Sequence, residues 1–71
     1  MNRTPVSSSD LASVGYDARQ HILEIEFLTG SIYQYFNVPQ QVYDELMAAD
    51  SHGRYFDANV KKAGYSYKQI G

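Results

Sequence analysis

Residues 22–36 read Ile22-Leu23-Glu24-Ile25-Glu26-Phe27-Leu28-Thr29-Gly30-Ser31-Ile32-Tyr33-Gln34-Tyr35-Phe36, and their pattern decides the fold. Leu23, Ile25 and Phe27 alternate with Glu24 and Glu26, the period of two of a strand with one buried face. Ser31 to Phe36, rich in Ile, Tyr and Phe, predicts a second strand, and the chain turns at Thr29-Gly30. Two registers fit. A loop of Thr29-Gly30 alone pairs Phe27 with Ile32 and sets the tyrosines across from Glu24 and Glu26. A loop of Leu28-Thr29-Gly30, with Gly30 left-handed, pairs Ile25 with Tyr33 and Leu23 with Tyr35. Thr resists positive φ, which favours the longer loop. Tyr33 and Tyr35 then share the face of Leu23, Ile25 and Phe27, while Ile32, Gln34 and Phe36 point the other way.

Upstream, Ala12, Val14 and Tyr16 alternate with Leu11, Ser13 and Gly15 in a further short strand, and Asp17-Ala18-Arg19-Gln20 reads as a turn. Residues 1–9 are polar, with Pro5 and the run Ser7-Ser8-Ser9, and predict a flexible lead-in before a single domain over 10–71. Downstream, the period changes at Val38-Pro39. Val42, Tyr43, Leu46 and Met47 fall at helical spacing, with Gln41, Asp44 and Glu45 toward water. Ser51 is an N-cap for a second helix that buries Phe56, Val60 and Ala63, and Gly64 suits its end. The tail Tyr65-Ser66-Tyr67-Lys68-Gln69-Ile70 alternates and can add a short strand. The expected architecture is α+β: a three-stranded antiparallel meander, two short helices and an optional last strand.

Composition narrows the chemistry. The chain has 71 residues, no cysteine, no tryptophan, seven tyrosines and three phenylalanines. That excludes a disulfide scaffold, a cysteine zinc site, a catalytic thiol and an iron–sulfur centre. No apolar run nears the ~20 residues of a membrane span, so a cytoplasmic setting with no membrane partner is expected. His21 and His52 are isolated and give no metal spacing, so neither metal nor cofactor is expected. Glu24 and Glu26, about 7 Å apart by strand rise, read as solvated strand glutamates. The serine run has no base beside it, and no glycine-rich phosphate loop occurs. No enzyme is expected.

The formal charge of −2 hides a division: residues 1–50 carry two cations against seven acids, a balance of −5, and residues 51–71 carry four against one, a balance of +3. In the basic part Arg54, Lys61, Lys62 and Lys68 are interleaved with Tyr55, Phe56, Tyr65 and Tyr67. Cations that meet phosphates and rings that stack with unpaired bases suit single-stranded RNA. Lys61 and Lys62 also suit a helix C-terminus, and tyrosines also fill small cores.

The ordered series Gly15-Tyr16-Asp17, Leu23-x-Ile25-x-Phe27-x-x-Gly30, Tyr33-x-Tyr35, Val38-Pro39, Val42-Tyr43, Leu46, Ala49-x-Ser51-x-Gly53-x-Tyr55-Phe56 and Tyr65-x-Tyr67 resembles the KTSC domain. That family is named for its occurrence at the C-terminus of some lysyl-tRNA synthetases and also exists as small bacterial proteins. The resemblance implies a domain for which RNA binding has been proposed, with no catalytic residues to carry over. Tyr33, Tyr35, Ser51, Gly53, Tyr55 and Phe56 match its hallmark positions. The expected function is a non-enzymatic binding module. One reading is RNA contact through Arg54, Tyr55, Lys61, Lys62, Tyr65, Tyr67 and Lys68. The other is a protein partner or a second copy, held at a sheet edge or at an open face bearing Ile32 and Phe36.

Overall fold

The computed structural model describes residues 1–71. In chain order the elements are β1 (Arg3–Pro5), β2 (Leu11–Asp17), β3 (Ile22–Phe27), β4 (Ile32–Tyr35), α1 (Gln40–Ala48), α2 (His52–Asn59), a short 3-10 turn (Lys61–Ala63) and β5 (Tyr67–Gln69). The strands form one antiparallel sheet in the order β1-β2-β3-β4-β5, with both helices inserted between β4 and β5. The α+β class holds, with five strands rather than three or four.

The β3–β4 hairpin adopts the longer loop. Leu23 opposes Tyr35 and Ile25 opposes Tyr33, while Gly30 takes φ 97°. Its N–H donates to the Phe27 carbonyl at 2.9 Å, and the Phe27 N–H donates to the Ser31 carbonyl at 2.9 Å. Thr29 therefore escapes positive φ, as its β-branch demands.

Two sequence expectations fail upstream. Strict alternation in β2 sets Leu11 opposite to Val14, yet both are fully buried. A bulge between Leu11 and Ser13 adds Ala12 as the unpaired residue and shifts the register by one, so Leu11 joins the core face. The lead-in expected over 1–9 contains β1, which pairs Arg3 with Gly15 and Pro5 with Ser13. Gly15 permits this crossing: a Cβ there would lie 2.8 Å from the Asn2 carbonyl oxygen, a backbone atom unable to swing aside.

The helices cover one sheet face. Leu11, Val14, Leu23, Ile25 and Tyr35 pack there with Val38, Leu46, Phe56 and Val60, and Val42, Tyr43 and Met47 lean on them. Ser51 caps α2, its Oγ accepting the Arg54 N–H. Gly64, at φ 86°, ends the 3-10 turn. Ala63, expected in the core, is exposed because α2 gives way at Val60 to that tighter turn, which rotates it outward.

The opposite face is open but is not an apolar patch. Glu24, expected to be solvated, is only 4% exposed. Arg3 reaches across β2 and forms an ion pair with it. Gln34 donates to Glu24 at 2.9 Å, and Ser13 donates to Glu26 at 2.8 Å. Ile32 and Phe36 are half-buried rather than presented. The missing signal was β1: without a strand beside β2, nothing in the sequence sets a cation over Glu24.

Candidate functional site

β4 and β5 place three tyrosines on one side of the sheet. Tyr33 and Tyr35 alternate along β4, and antiparallel pairing sets Tyr67 directly opposite Tyr35. The Tyr35 and Tyr67 ring centres are 5.7 Å apart, Tyr33 and Tyr67 6.0 Å, and Tyr33 and Tyr35 6.3 Å with planes 22° from parallel. Phe56 from α2 meets Tyr35 edge-on at 5.5 Å and Phe27 at 5.4 Å. Such offset and edge-on contacts stabilise an aromatic cluster beyond its buried area.

This cluster forms the floor and one wall of a cleft of about 450 Å³. Tyr35 and Phe56 are buried at its base, Tyr33 and Phe27 are half-buried, and Tyr67 is 65% exposed at its lip. Gly53, Asp10, Asp57 and Lys61 complete the lining. The Asp10 carboxylate lies against the first turn of α2: a Cβ on Gly53 would meet its Oδ2 at 2.8 Å. A negative charge is favoured there by the helix dipole. Tyr33 donates its hydroxyl proton to Gln69 at 3.2 Å. Burial, with Tyr33 and Tyr67 nearby, pushes the Tyr35 pKa to about 12, so its hydroxyl stays protonated at neutral pH. The cleft therefore offers aromatic faces, a neutral phenol, one cation and two carboxylates. That is an inventory for binding a flat or amino-bearing group.

Of the residues singled out in the sequence, Tyr33, Tyr35, Gly53, Phe56, Lys61 and Tyr67 come together at this cleft. The rest lie elsewhere. Ser51 caps α2. Arg54 and Lys62 are exposed on α2 and the following turn. Tyr55 donates its hydroxyl to Glu45 at 2.7 Å. Burial and that hydrogen bond raise its pKa to about 12, while the hydrogen bonds from Tyr55 and Gln41 lower that of Glu45. Tyr65 is half-buried against the core. Lys68 opposes Gln34, so it belongs to the far face with Glu24. The basic C-terminal segment thus does not make one basic surface, because strand alternation sends Tyr67 and Lys68 to opposite sides. Sequence reasoning missed Asp10, Phe27 and Asp57. Phe27 reads as core from its alternation, and Asp57 has a signal only in its adjacency to Phe56. Asp10 has none, since the β2 bulge and the placement of α2 bring it in.

No group of three or more His, Asp or Glu side chains is placed to hold a metal ion. No helix is long and apolar enough to cross a membrane.

A short antiparallel sheet with two helices on one face and a tyrosine cleft at their margin defines a small α+β domain. The KTSC domain model matches residues 7–67, and the chain belongs to that family. A protein of Stutzerimonas stutzeri is 46% identical over 70 residues, covering 99% of each chain. A lysine–tRNA ligase of a Nostoc species is 42% identical over 55 residues, which are 78% of this chain and 10% of the ligase. The crystal structure of a KTSC domain protein from Yersinia pestis superposes with a TM-score of 0.91 at 43% identity, covering 99% of this chain and 97% of that one.

Proposed function

We propose that this KTSC domain binds single-stranded RNA without catalysing a reaction, in a cytoplasmic setting and with no metal or cofactor. The grouping of Tyr33, Tyr35 and Tyr67 at one open cleft carries this reading. Three rings with one exposed lip offer an unpaired base a stacking surface, and such stacking is sequence-tolerant because every base has a π-face. Lys61, the one cation that lines the cleft, supplies a contact for an adjoining phosphate. The kinship with part of a lysine–tRNA ligase sets a relative of this domain in an enzyme that acts on tRNA. Labelled tRNA and single-stranded oligonucleotides titrated at low salt test the reading by fluorescence anisotropy. Tyr67→Ala is expected to weaken binding about tenfold, the scale of one lost base–ring stack. Lys61→Ala is expected to weaken it less and to flatten the salt dependence by about 0.7 in log–log slope, one phosphate contact to a single strand. Flat titrations with every RNA reject it.

A second reading is a protein partner or a second copy added at the sheet edge. β5 favours it: all three of its residues are exposed at the end of the sheet, and unpaired backbone there can accept another strand. Sedimentation that shows a monomer at high concentration removes the self-pairing form.

A further inference from the structure

The cleft carries charges that phosphate contact does not use. Asp10 comes from the start of β2 and Asp57 from α2, and both line the cleft beside the tyrosine rings. Both are exposed, and neither takes part in an ion pair, since Arg3 makes both of the ion pairs in the chain. Their oxygens are free to accept hydrogen bonds. Two free carboxylates repel phosphate and attract N–H groups.

Resting on the RNA reading of this cleft, we infer that it selects the bound base by its edge, with Asp10 and Asp57 as the acceptors. Guanine offers an N–H and an amino group side by side, which matches the two oxygens of one carboxylate. Adenine and cytosine each offer one amino group there. Uracil offers a single N–H between two carbonyl oxygens, and a carboxylate beside those is repelled. The order expected is guanine first, adenine and cytosine next, uracil last. Lys61 stays with the phosphate, and Tyr33 and Tyr67 hold the plane of the base. The acids at the cleft thereby become readers of the base instead of a flaw in an RNA site.

The test uses the full chain and four fluorescein-labelled octanucleotides: all-uridine, and the same strand with one central guanosine, adenosine or cytidine. The guanosine strand is expected to bind about tenfold tighter than all-uridine, within the range of a good bidentate base contact. Asp10→Asn, Asp57→Asn and the double variant, each checked for folding by circular dichroism, are expected to erode that ratio toward one. They should do so partly by tightening all-uridine, because a negative charge is gone and an amide can donate to a carbonyl. All-uridine that equals or beats guanosine on the unaltered chain overturns the inference and leaves RNA binding intact. So does a guanosine preference unchanged in the double variant. If none of the four strands binds at low salt, the RNA reading itself falls and takes this inference with it.

Discussion

Glu24 shows how one residue departs from its local pattern. Alternation places it on the open face of the sheet, yet it is 4% exposed and held by Arg3 and Gln34. Burial pushes its pKa up, but the hydrogen bonds from Gln34 and Arg3, with the Arg3 charge and the amino terminus nearby, outweigh it and hold the carboxyl below its usual range. Because folding lowers this pKa, Glu24 favours the folded state above the ordinary carboxylate value of about 4.3. That contribution is lost as the pH falls through the lowered value. Glu24→Gln keeps the shape and removes the charge. It is expected to cost about 1.5–3 kcal/mol at neutral pH, the scale of a hydrogen bond to a charged group, and to flatten the acid side of the stability profile. Urea unfolding of both proteins between neutral and acidic pH measures the difference. An equal acid-side slope in the two would show that Glu24 is not the group responsible.

At the scale of elements, the hairpin and α2 were the most legible parts, because each is set by neighbours in the chain. Thr29 before Gly30 decides the hairpin register through a backbone preference, and that register puts Tyr33 and Tyr35 on the core side. Ser51 caps α2 through its own side chain, accepting the Arg54 N–H. Ser51→Ala is therefore expected to cost about 1 kcal/mol, the usual worth of an N-cap. In a domain of this size that lowers the melting temperature by roughly 4–8 °C, while Ser51→Asp should retain most of the stability. Calorimetry of the three proteins checks both. The β2 bulge and the 3-10 turn after α2 were not legible. Ala12 and Ala63 are small enough to sit on either side of a register shift, so their burial depends on what packs around them.

At the scale of the whole molecule, β1 closes one edge of the sheet. It lays Asn2 over Gly15, shields the edge of β2 and brings Arg3 to Glu24. Removing residues 2–6 should therefore do more than trim an end. It leaves a buried carboxylate short of its cation and a seven-residue edge strand open. The expected result is a fall in melting temperature of about 10 °C, corresponding to roughly 2 kcal/mol, together with self-association visible in sedimentation. A truncated chain that melts like the full one and stays monomeric would show β1 to be incidental.

The ordered motif pointed to the KTSC kinship, and with the basic segment it singled out six of the residues that line the cleft; the sequence by itself determined the α+β class, the hairpin register and both helices. Those features rest on period, turn chemistry and capping, which act over a few residues of chain. Tertiary structure alone decided that residues 3–5 form an edge strand, that β5 returns to β4 so that Tyr67 joins Tyr35, and that Asp10 and Asp57 share the cleft with Lys61 beside the rings. The division of charge along the chain therefore did not become a division of charge in space. Strand alternation and the return of β5 to β4 redistribute neighbours in sequence to opposite faces, and long-range pairing carries no mark in the local pattern.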